Sequence, residues 1–563
     1  MWKDQQTRIP ILIMLLSLLT TILVSCSSTA NYQRSNVPAP DSEQILRIPI
    51  GPSDFATLDP ALVQDGGEIG AVQTIFTGLV QFNDRGLVKD QLAASHAISS
   101  DGLTYTFTLR ANLKFSDGTP LTAQDVAYSI NRTLSPATQS PVTNYLSLIK
   151  DYDKMVSGQL PTLIGDSLLV KDAQTFVIVL KQPAVYFLQT LTYPTSYVVE
   201  RKLIERYGKD WTDHLTQGGG DGPFKVGSYS HTLGLEVVPN QFYYGHHPRL
   251  QRIAYSISGD TNTTYQAYLS GQYDQTSIPS VKLDYAKTRP DYIHVPSLIL
   301  RVVQLNYAIK PFDVLKIRQA FDVALNRNLI SEHLLRGVVT PTHRYIPAGM
   351  YGANPREVAG PDGTTNTSGE RVKAIELLRQ GLQEGGYKSI SDLPPITLST
   401  TNGLDALKMA NVLADEWENT LGITVHINPI DPNLYDQAYG AGKLQAWVFG
   451  WGADYPDPHD WLAVFFGRGG DYNNMHYGQN SSPVAADQQA TQQAIMRADT
   501  MTNLNERARA YNDIEQKLAN ETAWIPLYQP SSNYLQSPRL HGMVENPLGN
   551  IDPEDWNAIY ITA

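Results

Sequence analysis

The sequence predicts an α/β protein with mixed sheets, divided into more than one lobe. Strand and helix signals alternate along the chain, which favours sheets covered by helices over an all-helical or all-strand build. No internal repeat and no second apolar span interrupt that alternation. The chain has 563 residues, and the length beyond its N-terminal region is too great for one hydrophobic core and enough for two or three. A hydrophobic content of 42% is sufficient to fill them.

The N-terminus comes first in order. Lys3 and Arg8 precede an apolar run over residues 9–24. This is the charged and apolar pattern of an export signal, and it is short for a spanning helix, which needs about 20 apolar residues. Leu23-Val24-Ser25-Cys26 resembles the lipobox of bacterial lipoproteins, which implies a signal peptide over 1–25 and Cys26 as the lipid attachment point. An ordinary signal or an uncleaved anchor that happens to end in cysteine is the alternative. Acyl chains at about 0.8 kcal/mol per buried methylene hold a soluble domain on a membrane when two or more act together. Ser27 lacks the aspartate that retains many lipoproteins at an inner membrane. Cys26 is the only cysteine, so disulfides, Cys-based metal sites and thiol catalysis are excluded from the rest of the chain. Residues 26–44, rich in Ser, Asn, Pro and Ala, read as a flexible tether.

Beyond the tether, residues 46–50 are a short strand and residues 70–80 carry apolar groups at helical spacing. Residues 103–109 alternate as a half-buried strand, with Thr104, Thr106 and Thr108 opposite Leu103, Tyr105, Phe107 and Leu109. A turn at Ser116-Asp117-Gly118-Thr119-Pro120 leads to Thr122, which caps a helix through Ile130 with Asp125 three residues on. Residues 317–325 place Ile317, Phe321, Ala324 and Leu325 on one helical face, a core pattern. Trp447-Val448-Phe449-Gly450-Trp451 is a buried-strand pattern that breaks at Gly452 into a loop with two acids and two prolines, where a scaffold can present polar groups to a cavity.

A formal net charge of −12, with no basic run, argues against a nucleic-acid partner. Tyr is in excess, 31 against 14 Phe and 8 Trp, which suits a wet cavity or a surface between lobes but is also common in extracytoplasmic proteins. Gly218-Gly219-Gly220 lacks the Gly-Lys-Ser/Thr of a phosphate loop. There is no Gly-x-Ser-x-Gly elbow and no His-Glu-x-x-His helix. A carboxylate hydrolase or metal site on Asp454, Asp457, Asp460 and His459 is the remaining enzyme reading.

Phe115-Ser116-Asp117-Gly118-Thr119-Pro120-Leu121-Thr122-Ala123-Gln124-Asp125-Val126 resembles the signature of the large extracytoplasmic solute-binding proteins of peptide-type ABC importers, solute-binding family 5. Other stretches similar to that family follow its order. They are Thr57-Leu58-Asp59-Pro60-Ala61, Gly102 through Arg110, Gly222-Pro223-Phe224-Lys225-Val226, Leu305-Asn306-Tyr307, Ile317 through Arg327, Gly450 through Pro458, and Trp524-Ile525-Pro526-Leu527-Tyr528. Read from the residues, most of these are turns, caps and core faces. The resemblance implies a two-lobed, type II periplasmic-binding-protein-like fold with an extra inserted domain and a cleft between hinge-connected lobes. The first lobe is expected over 45–69, 190–300 and 525–563, the inserted domain over 70–189, and the second lobe over 301–524.

The resemblance also implies a site. An aspartate after the Gly-Trp strand meets the peptide's α-ammonium group in this family, and by motif position it is Asp454. A turn cap, or a pair with an arginine of the protein, is the other reading of that residue. Trp451, Gly452, Ala453 and Tyr455 are expected around it, while Asp457 is expected to be structural. His343, Arg344 and Arg468 are the candidate cations for a peptide C-terminus. The implied function is capture of short peptides by lobe closure and delivery to an ABC permease driven by an ATPase, by a monomer on the cell membrane or facing a periplasm. No catalytic residue, metal or cofactor is expected. The alternatives are a nickel chelate, haem, sugar or opine in the same fold, or a signalling receptor.

Overall fold

The computed structural model describes residues 37–350, 352–470 and 472–563, apart from the Asp436 side chain. Cys26 and the apolar run before it lie outside the described residues. Among the described residues no helix is long and apolar enough to cross a membrane.

Three sheets organise the chain. In the first, Ile45–Pro49 runs parallel to Arg252–Ser256, and Gly234–Pro239 and Phe224–Ser230 follow antiparallel. Its core combines Leu46, Ile75, Trp211, Phe224 and Ile253 with Leu540, Trp556 and Ile561 from the chain's end. The stretch read as tether ends against this lobe. Ala39 is buried and donates its N–H to Ile561 at 2.8 Å, and the Gln44 amide holds the carbonyls of both Ala39 and Ile561 at 2.8 Å. The second sheet, Ala93–Ile98, Thr104–Leu109, Thr175–Val179 and Leu168–Val170, is antiparallel throughout. The third has eight strands and is built on the long strand Ile525–Gln536.

That long strand joins the lobes. Its C-terminal half pairs with Gln275–Ser277 and Tyr292–Pro296, its N-terminal half with Ile299–Leu305 and Val339–Pro341. The chain passes between the two groups at Ser297 and Leu298, beside Pro530, to which Ser297 donates at 3.1 Å. These two strand passages are the hinge of the two-lobed fold. Beyond it, Ala446–Gly452 pairs antiparallel with Ile299–Leu305 and parallel with Ile396–Thr401, and Val425–Ile430 closes the sheet.

Local sequence explains most elements. In Thr104–Leu109 the residues Tyr105, Phe107 and Leu109 are buried and the threonines face outward. Thr122 and Asp125 form a reciprocal capping box on the helix Ala123–Leu134. Asp59 receives two bonds from Arg132 and one from Trp211 Nε1 at 3.0 Å, fastening its loop to that helix. The helix expected over 70–80 is observed at Gly66–Ile75, capped by Asp65. It stops early because residues 77–79 are drawn into extended pairing: Val198 N–H reaches the Thr77 carbonyl at 2.9 Å and Gln91 N–H the Leu79 carbonyl at 2.9 Å. The glycine run packs against that helix end. A Cβ on Gly220 would fall 2.3 Å from the Ile75 carbonyl oxygen, so only glycine lets the two backbones meet.

Candidate functional site

The strand Ala446–Gly452 enters buried at Ala446 and Trp447 and emerges progressively, because its last residues reach the space between the lobes. Its pairing ends with Gly452 opposite Ile299, and Ala453 adds one more bond, to the Leu298 carbonyl at 2.8 Å. The next seven residues carry three aspartates in three different situations. Asp457, fully buried, receives both guanidinium nitrogens of Arg507 at 2.7 Å and the His459 N–H at 2.9 Å. Asp460 turns back beneath the loop, accepting the Asp454 N–H at 2.9 Å and Trp451 Nε1 at 3.4 Å. Asp454, held at its backbone by Asp460, has a half-buried side chain beside the hydroxyl of Tyr145, which lies in the short helical turn Thr143–Leu146.

Aromatic rings fix the loop across the cleft. Tyr455 is buried within the core of the second sheet, parallel to Tyr186 at 6.2 Å and edge-on to Tyr145 at 6.4 Å. Its hydroxyl meets His459 Nδ1 at 2.7 Å, and His459 stacks on Tyr186 at 4.0 Å. Tyr145 stacks on Tyr193 at 3.9 Å.

Asp454 stands between two chambers. One, of about 480 Å³, is walled by Ile299 and residues 452–454 on one side and by Gln64, Tyr193, Tyr197 and Asn550 on the other. A smaller chamber of about 160 Å³ continues it toward the hinge, sharing Ile299, Gly452, Ala453, Asn546, Leu548 and Gly549. A third, of about 420 Å³, lies on the far side of Asp454 and is lined by Trp451, Tyr455 and Arg468. Volumes of this order suit a small ligand held between lobes.

Burial sets the electrostatics. The Asp454 carboxyl is pushed up to about 7 by desolvation, which the Tyr145 hydroxyl only partly offsets. Asp460 is raised well above the carboxylate range, first by burial and then by the charge of Asp454. Tyr145 is pushed well up by burial, then by the neighbouring Asp454. Among the described residues no cation of the protein acts on Asp454. A carboxylate in that position favours a ligand that brings a positive charge.

All five residues expected at the site line at least one chamber: Gly452 and Ala453 the first two, Asp454 the first and third, Trp451 and Tyr455 the third. Of the candidate cations, His343 and Arg344 line none. His343 Nε2 lies 3.0 Å from the Asn366 carbonyl, and Arg344 donates to the carbonyls of Asn354 and Arg356 at 2.9 Å. Arg468 is exposed at the third chamber. Tyr145, Tyr193 and Asn546 could not be read from the sequence as site residues. For the two tyrosines the excess of that residue was the only signal, and it gave no positions; Asn546 had none. Among the described residues no cluster of three or more His, Cys, Asp or Glu is arranged to hold a metal.

The chain has relatives of similar length and fold. Oligopeptide-binding protein OppA of Bacillus subtilis is 26% identical over 552 residues, which cover 96% of this chain and 97% of that protein. The probable deoxycholate-binding periplasmic protein YgiS of Escherichia coli is 28% identical over 561 residues, covering 96% and 98%. The solved structure of the Escherichia coli murein tripeptide binding protein MppA aligns over 94% of this chain and 100% of its own, with a TM-score of 0.74 at 26% identity. Residues 88–473 match the model of bacterial extracellular solute-binding proteins, family 5 Middle, a stretch that is well over half of the chain and includes both Tyr145 and Asp454. The chain therefore belongs to family 5 of the bacterial extracellular solute-binding proteins.

Proposed function

We propose that this protein is the lipid-anchored, extracytoplasmic receptor of a peptide ABC importer. It captures short peptides by closing the lobe of 45–69, 190–300 and 525–563 on that of 301–524, then docks on a membrane permease. Asp454 carries the reading. It is a carboxylate raised by burial and unpaired with any cation among the described residues, opening into a chamber between lobes of about 480 Å³. A peptide's α-ammonium supplies the missing charge, and the bond to it is worth about 1.5–3 kcal/mol. The relatives that share the fold and are named for oligopeptides and for a murein tripeptide support the same ligand class.

The chamber weighs against other solutes carried on this fold. Deoxycholate is an anion and haem bears propionates, and the two connected chambers present no Lys, Arg or His to meet them. Lobe closure needs a ligand that touches both sides, because only differential contact shifts the equilibrium toward the closed form. Cys26 supplies the membrane attachment in this reading, and the working form is a monomer.

Native mass spectrometry of protein beginning after Cys26, purified gently from a rich lysate, tests the class. Bound masses resolving into short peptides are the expected result, while haem, a metal chelate or a sugar would overturn it. Asp454→Ala should weaken peptide binding by about tenfold or more. Binding that survives within about threefold would remove Asp454 from its assigned role.

A further inference from the structure

The cleft contains a second carboxylate that the α-ammonium reading leaves unused. Glu545 lies in the loop after the strand Leu540–His541 and lines the smaller chamber, which opens into the main one. Its side chain is half-buried beside the hydroxyl of Tyr534. Burial pushes its carboxyl up, as it does that of Asp454, and no cation of the described residues acts on it.

The loop holding Glu545 is well fixed. Asn546, 5% exposed, accepts the N–H groups of Leu548 and Asn550 on its side-chain oxygen at 2.9 and 3.1 Å. Its own backbone N–H reaches the Asn550 carbonyl at 2.8 Å. Asn546 lines both chambers, and among the described residues its Nδ2 has no acceptor. An amide donor open to the chambers, on the residue next to a carboxylate, is matched by a ligand that offers a carbonyl and, near it, a cation.

The two connected chambers together hold Asp454 and Glu545 and are lined by no basic side chain. An anionic ligand group there would meet two carboxylates in a water-poor space, and a neutral one would leave Glu545 unpaired on closure. We propose that this cleft is selective for basic peptides, with Asp454 taking the α-ammonium, Asn546 a backbone carbonyl, and Glu545 the side chain of a lysine or arginine. The inference rests on the peptide reading above and narrows it to a substrate class. The peptide's own carboxylate is placed away from Glu545, outside these two chambers.

The test is calorimetric titration of the full chain in mild detergent. Its probes are alanine peptides of increasing length, each remade with a single lysine, or a single glutamate, moved along it. For at least one position, lysine should bind about tenfold tighter than the alanine parent and glutamate should bind more weakly than that parent. In Glu545→Gln, which keeps an acceptor for Tyr534 and should melt at the parent temperature, the lysine-to-alanine ratio should collapse to within about twofold. Peptides that bind with no lysine preference, or a preference equal in both proteins, would overturn the role of Glu545 and leave the peptide reading standing. Failure of every peptide to bind the parent protein would overturn both.

Discussion

At Asp454 the same burial that creates specificity also costs stability. In the unfolded chain this carboxyl titrates near the ordinary 3.8 of an aspartate, whereas in the empty folded protein burial pushes it up to about 7. Between those values the folded state binds more protons than the unfolded one, so the contribution of this group falls as pH rises and is worst above 7. Asp454→Asn should therefore raise the melting temperature of the empty protein at pH 8, and that gain should vanish below about pH 4, where Asp454 is protonated in both states. Ligand binding has the opposite sign. An ammonium group binds the ionised form, so peptide affinity should fall as pH drops below about 7, by at most about tenfold per unit, while Asp454→Asn flattens this slope. Melting temperatures followed from pH 8 down to about pH 3.5 read the first effect, and calorimetric titration from pH 8 down to pH 5 reads the second. A slope unchanged in the variant would assign the proton to Asp460, which holds the same loop from below.

At the scale of elements, the 452–460 loop depends on a buried ion pair. Asp457 and Arg507 have side chains 0% and 2% exposed and bond through both nitrogens of the guanidinium. Arg507 lies on the helix Leu504–Asn520, so the pair ties the loop to the body of its lobe. Removing one partner leaves the other charged in a dry interior, which costs about 3–5 kcal/mol. Arg507→Met should lower stability by that order in urea unfolding, and adding Asp457→Asn should restore much of it. An equal loss in the single and double variants would mean that the helix packing of Arg507, and not its charge, is what matters. The sequence made Asp457 legible as structural because it sits before Pro458 in a turn. It made the capping box at Thr122 and Asp125 legible because caps are local, and the strand Thr104–Leu109 because its alternation is strict. The helix Gly66–Ile75 was shifted in the reading because its end is set by bonds to residues 91 and 198, which no local pattern reports.

At the scale of the whole molecule the site exists only when the lobes meet. Asp454 could be singled out by motif position, but its partner Tyr145 stands about 300 residues earlier and Glu545 about 90 later. No spacing rule connects them, because the hinge and the inserted domain bring them together. The contact that does so is itself apolar. Tyr455 comes from the lobe of Asp454 yet is 4% exposed, packed among Tyr145, Tyr186 and the core of the second sheet. Withdrawal of that ring on opening would cost about 1.5–3 kcal/mol, as for a large apolar side chain. On that basis Tyr455 is expected to favour closure even without ligand, and a peptide adds only the difference between its contacts in the two states. Tyr455→Ala should shift the empty protein toward the open form, seen as a larger radius of gyration by X-ray scattering. Peptide affinity should drop in proportion to the lost closed fraction, about tenfold for a loss of 1.4 kcal/mol, since only that fraction is competent to hold it. Saturating peptide should return the variant to the radius of the parent complex. If affinity falls while the radius of the empty protein stays fixed, Tyr455 acts on the ligand directly through the third chamber, and closure is driven by the ligand alone.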